Sequence, residues 1–210
     1  LDFAYLTEIP WLGGRGYNLA LLSWAATFRG TRDTETGRFA AVLFESFADP
    51  IITGRDELGH PKIYCEIPPP IVTADTVNAR LAWDGHEFLR VTVADLSAQA
   101  PADARDDFPT SGWLQWKYVP GTPPSAGPDA SYPTHSPDPL AAEVHPHVHV
   151  DSRHWGRGTL TRRQVEWQDM PTLWNVVNGI AALPHVAPRL AVVSRTHGWI
   201  GDVGDTRRLA

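Results

Sequence analysis

An Asp84-Gly85 pair sits between two alternating apolar stretches, Val77–Trp83 and Glu87–Ala94. A two-residue turn of this type accepts the positive φ angles a tight hairpin needs, so it fixes antiparallel pairing and register at one point of the chain. Leu89, Val91 and Val93 alternate with Phe88, Arg90 and Thr92, the period of a half-buried strand. The same kind of stretch recurs at Leu19–Arg29, Phe39–Phe47, Trp113–Val119, Val144–Val150, Gly158–Trp167 and Arg189–Thr196. Gly30–Gly37 reads as a polar turn segment between the first two. Residues 120–139 hold seven prolines among Ser, Gly and Asp, and read as a long loop. One helix is predicted, from about Pro171 to Leu183. Asp169 lies near its start, Pro171 in its first turn and Pro184 at its end, and Leu173, Val176, Val177, Ile180 and Leu183 form its apolar stripe. Many strands with one late helix imply a mainly β (α+β) chain, antiparallel and closed or nearly closed. At 210 residues, a single domain covering 1–210 is expected.

Charge and cysteine content exclude several classes. A net charge of -6 gives no basic face for nucleic acid. No apolar run reaches the ~18–20 residues that span a bilayer. Cys65 is the one cysteine, so no internal disulfide forms, which fits a reducing, cytoplasmic setting. It reads as a small buried hydrophobe, because no base is marked beside it. The chain opens on Leu1 with no signal-peptide pattern, as expected of a processed terminus or a fragment.

Lysine is nearly absent: of 18 basic residues only Lys62 and Lys117 are lysines. Lys62 stands among apolar and aromatic neighbours. Burial lowers a lysine pKa from ~10.4, and the neutral amine can attack a carbonyl and form a Schiff base. His60, two residues away, would share its face on an extended segment and has an imidazole suited to proton transfer. Arg55 and Glu57 read as an ion pair that holds the lysine loop.

The segment Phe44-Glu45-Ser46-Phe47-Ala48-Asp49-Pro50-Ile51-Ile52-Thr53-Gly54-Arg55-Asp56-Glu57-Leu58-Gly59-His60-Pro61-Lys62 resembles the acetoacetate decarboxylase family. Ile9-Pro10 through Gly14-Arg15-Gly16-Tyr17-Asn18, Trp113–Gly121, Trp167–Pro171 and Leu183-Pro184 extend the likeness over nearly the whole chain. The resemblance implies a cone-like antiparallel β barrel with one carboxy-terminal helix, several subunits, and an interior Schiff-base lysine at Lys62. A family glutamate falls on Leu19, and a second family carboxylate falls near Ala4. A family arginine would precede Leu1. The implied activity is therefore a carbon–carbon lyase of small carbonyl compounds, by decarboxylation or retro-aldol chemistry, on a substrate more apolar than acetoacetate and without a cofactor. Lys62 and His60 are the candidate catalytic residues. Leu19, Phe44, Arg55, Glu57, Trp113 and Trp116 are the candidate substrate pocket.

Two alternatives stand beside this. A barrel without its acids could bind an apolar ligand and do no chemistry. His145, His147 and His149 alternate in Val144–Val150, and on one strand they would share a face able to hold a transition metal.

Overall fold

The computed structural model describes residues 1–102, 112–138, 146–184, 190–198 and 205–210. They form two compact units. The first comprises the described parts of Leu1–Tyr64, Arg105–Val150 and Thr196–Ala210, and the second those of Cys65–Ala104 and Asp151–Arg195.

The first unit holds a seven-stranded sheet: β1 (Asp2–Ile9), β2 (Arg15–Arg29), β3 (Thr34–Glu45), β4 (Lys62–Tyr64), β8 (Trp113–Pro120), β9 (Pro128–Ser136) and β12 (Arg207–Arg208). The order is β1-β2-β3-β8-β9-β12, with β4 added to β3. The β1–β2, β2–β3, β8–β9 and β9–β12 pairs are antiparallel. β3 departs from that rule. One of its edges is shared in series by two parallel partners: Arg38 and Phe39 face Trp113 and Leu114, and Leu43–Glu45 face Lys62–Tyr64. The architecture is mainly β, as the strand spacing indicates. Among the described residues, however, this sheet ends at β1 and β12 and is not a closed ring.

The second unit carries most of a five-stranded sheet ordered β11-β10-β7-β6-β5, made of β5 (Ile71–Val72), β6 (Val77–Trp83), β7 (His86–Ser97), β10 (His149–Arg162) and β11 (Leu190–His197). The hairpin turns where the sequence places it, with φ of 47° at Asp84 and 78° at Gly85. The predicted helix is α2 (Trp174–Ala182), which starts after a turn and buries Val177 and Ile180.

Four segments differ from expectation. β1 was hidden beside the glycine-rich turn. β9 runs through the proline-rich stretch: Pro133 sits opposite Trp116 and accepts a hydrogen bond from Leu209 N through its carbonyl, so the lost N–H is tolerated. The segment before Lys62 is helical, with α1 (Ala48–Thr53) running into a wide π-type turn, Gly54–Leu58. The expected histidine strand is also replaced. His147 lies in a turn, β10 begins only at His149, and His145 lies outside the described residues. Pro146, which cannot donate to a ladder, interrupts the run.

Candidate functional site

Register puts one row of side chains on a common face. Ala4 pairs with Leu19, and Leu19 with Glu45. Lys62 pairs with Leu43, two residues before Glu45, so Leu19, Leu21, Leu43, Glu45 and Lys62 project from the same side of the sheet. Leu21, Ala40 and Leu43 are buried there, and Leu19 and Trp113 pack against them.

Lys62 is 7% exposed and Glu45 is fully buried, with Lys62 Nζ 2.8 Å from Glu45 Oε1. The amine also donates to the Pro50 carbonyl at 2.9 Å. Burial pushes the lysine pKa down, and the Glu45 charge opposes this. Burial pushes the Glu45 pKa up, and Lys62 opposes that. Desolvation is the larger effect for both groups, so each is driven toward its uncharged form. An ammonium–carboxylate pair and an amine–carboxylic acid pair differ only in the position of one proton. Burial favours the second arrangement, which is the one with a nucleophilic amine. Tyr17 lies two residues before Leu19. Burial, reinforced by the Glu45 charge, raises its phenol pKa and keeps it protonated.

The Gly54–Lys62 motif has a physical basis at each end. A Cβ on Gly54 would overlap Lys62 Cδ, Cε and Nζ, so only glycine leaves room for the amine to lie across the turn. Gly59 ends the π turn at φ 81° and passes so close to Lys117 that any side chain would strike it. Arg55 Nη1 donates to the Lys62 carbonyl at 2.9 Å, while Leu43 N donates to the Pro61 carbonyl at 3.1 Å. Both bonds fix the backbone on either side of the lysine.

His60 is 6% exposed, but not because it shares an extended segment with Lys62. Lys62 N bonds back to the His60 carbonyl in a tight turn. The imidazole stacks edge-on against Trp113 with ring centres 5.7 Å apart. Its Nε2 lies 3.1 Å from the Gln115 amide. Gln115 satisfies all its neighbours when its oxygen faces His60 Nε2 and Ser136 Oγ and its nitrogen donates to Trp113 O, Thr134 O and Thr134 Oγ1. His60 is then the Nε2–H tautomer. Burial, aided by the Lys62 charge, lowers its pKa to about 3. A neutral imidazole cannot supply an imidazolium proton at neutral pH.

This burial has a consequence for stability. Below pH ~6.5 an unfolded chain protonates His60, and the folded chain cannot until about pH 3. Stability is therefore fully present above the unfolded pKa and falls as the pH drops through this window. Between ~pH 6.5 and ~pH 5 the expected loss from this group is roughly 1.5–2 kcal/mol. Urea titrations of wild type and His60→Gln at the two pH values check it. The variant should show the smaller pH dependence, and equal slopes would refute the assignment.

The other candidate pocket residues separate. Leu19 and Trp113 stand at the site. Phe44 is buried but alternates to the opposite face, with Ala20 and Ile63 as cross-strand partners. Trp116 also alternates away from Gln115, is 51% exposed and donates to Ser131 Oγ. Arg55 and Glu57 are both exposed and form no ion pair with each other; Glu57 contributes its carbonyl to Lys117 Nζ at 3.4 Å. Glu45 lies inside the motif, but contiguous spacing alone does not mark it as a site residue. The signal was there: it is the only acid in Phe39–Phe47, and it alternates onto the face of Leu43.

Cys65 is fully buried, donates to the Ala82 carbonyl at 3.1 Å, and burial raises its pKa to about 12, which leaves an inert thiol. No group of three or more metal-ligating side chains stands together among the described residues. No helix among them is long and apolar enough to cross a membrane.

The fold is shared with solved structures. Acetoacetate decarboxylase from Legionella pneumophila superposes with a TM-score of 0.63 at 16% identity, covering 94% of this chain and 68% of that one. An acetoacetate decarboxylase-like enzyme from Sphingomonas wittichii gives 0.60 at 18% identity, with 94% and 71% covered. The enduracididine biosynthesis enzyme MppR complexed with pyruvate gives 0.57 at 15% identity, with 94% and 68% covered. No curated protein sequence matches. The family model described as acetoacetate decarboxylase matches residues 2–187. With nearly its whole length inside that match, the chain belongs to the acetoacetate decarboxylase family, a family of lyase-type enzymes.

Proposed function

We propose that this protein is a Schiff-base lyase acting on a ketone or β-keto acid through Lys62. The observation that carries this is the buried amine and carboxyl 2.8 Å apart on one sheet face. Family membership supports the reaction class.

Lys62 attacks the substrate carbonyl as the free amine. A C–N bond forms and one of the amine's protons passes to the carbonyl oxygen. Glu45, as the carboxylic acid, protonates the departing hydroxyl, and water leaves. The product is an iminium facing the Glu45 carboxylate. In a β-keto acid the bond to the carboxylate carbon then breaks, its electron pair flows to the iminium nitrogen, and carbon dioxide departs as the enamine forms. The Glu45 carboxylate takes a proton from the medium and passes it to the enamine carbon, which regenerates the iminium; water then hydrolyses it, releasing the ketone and returning the amine and the carboxylic acid. Glu45 exchanges the protons in this scheme, in place of His60. Neutral His60 and Gln115 position Trp113 and the lysine turn. Leu19, Leu21, Leu43 and Trp113 keep water out, which preserves the uncharged amine.

Borohydride reduction after incubation with a methyl ketone or a β-keto acid tests this directly. Peptide mass analysis should locate a single reduced adduct on Lys62, absent in Lys62→Met. Lys117, the only other lysine, is the internal control. Adducts confined to Lys117, or none with either compound, would reject the proposal.

A further inference from the structure

A second polar constellation lies on the same sheet face, farther along the strands. A cavity of about 350 Å³ is lined by Trp11, Leu12, Gly13, Arg15, Phe47 and Asp49. Its position relative to Lys62 follows from register. Asn18 N donates to Ser46 Oγ, and Ser46 N donates to Asn18 O, so the β2–β3 pairing continues one residue past Glu45. Tyr17 and Phe47 form the next row, and Phe47 is extended, with φ −139° and ψ 139°. Alternation along β2 then places Arg15, Tyr17 and Leu19 on one face, and Glu45 and Phe47 on the same one. The cavity therefore lies beyond the Leu19–Glu45 row, on the face that carries the lysine.

The hollow is open to solvent and mixes charged with apolar groups. It contains one cation and one anion, Arg15 and Asp49, that do not pair with each other. Arg15 Nη1 donates to the Leu12 carbonyl at 3.3 Å, which leaves most of its N–H groups unused. Among the described residues neither side chain has a charged partner within 4 Å. Trp11, 49% exposed, and Phe47 add apolar surface to the same lining. An unpaired guanidinium and an unpaired carboxylate in one cavity are complementary to a ligand that carries both charges. A simple anion would gain from Arg15 and lose to Asp49.

We infer that this cavity is an outer subsite that binds a zwitterionic, amino-acid-type end of the carbonyl substrate, with Arg15 on the carboxylate and Asp49 on the ammonium. The inference rests on the Lys62 reading for the identity of the other end. Arg15 is four residues from Leu19, about 13 Å along the strand. Allowing for the reach of the Arg15 and Lys62 side chains, the carbonyl would lie roughly 4–7 bonds from the charged end. The substrate class is thus an extended amino acid bearing a ketone on its side chain.

Two measurements separate this inference from the one it rests on. The first is calorimetric titration with phenylalanine, which has both charges, an apolar stem and no ketone. Phenylacetate and phenethylamine each lack one charge. Phenylalanine should bind at least tenfold tighter than either, and Arg15→Gln and Asp49→Asn should each remove at least that factor, whereas Lys62→Met should not. Both cavity positions are exposed or rim groups, and matched thermal unfolding confirms that the variants fold. Phenylacetate binding as tightly as phenylalanine, no phenylalanine binding, or affinity unchanged in both cavity variants overturns the subsite. The second is borohydride trapping on Lys62 with ketones of equal length ending in a methyl, a carboxylate or an amino-acid group. Preferential trapping of the last supports the subsite, and equal trapping of all three overturns it. Failure of every ketone to trap while phenylalanine still binds would reject the Lys62 chemistry alone.

Discussion

A Glu45→Leu variant is expected to lose turnover by about 10²–10⁴-fold, the range for removing a positioned acid–base group. The lysine itself should survive the change. Without the carboxylate that opposes desolvation, its pKa falls further, which favours the neutral amine. What disappears is the proton for the departing hydroxyl and the counter-charge for the iminium. The informative partner is the exchanged pair, Leu19→Glu with Glu45→Leu. Leu19 faces Glu45 directly across the β2–β3 ladder, and facing Cβ atoms stand about 4.5–5.5 Å apart. The exchange returns a carboxylate to the same face, at the position where the family resemblance places one. Recovery of at least tenfold over Glu45→Leu, measured as steady-state turnover on a substrate identified by trapping, is the expected result. No loss in the single variant would remove Glu45 from the chemistry. Loss without recovery in the exchanged pair would show that the acid must sit on β3.

Gly54→Ala should have the second largest effect. The methyl group would occupy the volume of Lys62 Cδ, Cε and Nζ, and the Gly54 turn cannot retreat easily because its carbonyl accepts from Gly59 N and His60 N. Overpacking in a well-packed interior costs typically 1–3 kcal/mol. The more telling effect is displacement of the amine from Glu45 and the Pro50 carbonyl, which should lower borohydride trapping at Lys62 by tenfold or more. Gly179→Ala is the control, because a Cβ there meets nothing. Urea unfolding and trapping are read together. Equal trapping in wild type and Gly54→Ala would mean the lysine does not depend on this turn.

The burial of Lys62 was legible in the sequence because its signal is local: a rare residue inside a contiguous motif. Glu45 was not, although it lies in the same motif, because its meaning comes from a partner on another strand. Family comparison looks down a column and finds Leu19 where an acid is expected. Across the β2–β3 ladder, the residue facing Leu19 is an acid, Glu45, 26 positions later in the chain. The face that His60 and Lys62 were expected to share is absent for a different reason. Period two holds only on extended backbone, and the left-handed Gly59 followed by the His60–Lys62 turn breaks it. Phe44 and Trp116 show the opposite lesson: both are aromatic and next to site residues, and simple alternation sends them to the far face. The strands at Val77–Trp83 and after Gly85 emerged where a two-residue turn pinned their register. β9 did not, since seven prolines outweighed its pairing potential in any local count. The serial pairing of β4 and β8 along one edge of β3 left no mark in local sequence.

The shared proton between Lys62 and Glu45 has one further consequence. In the condensation proposed above, amine, acid and ketone give iminium, carboxylate and water, so that step neither takes a hydron from the medium nor releases one to it. The adduct carries the same total charge as the resting pocket with a neutral guest. Such a site is its own buffer: the covalent step is insulated from the acidity outside, and external conditions act on it chiefly through which form of the guest gains entry.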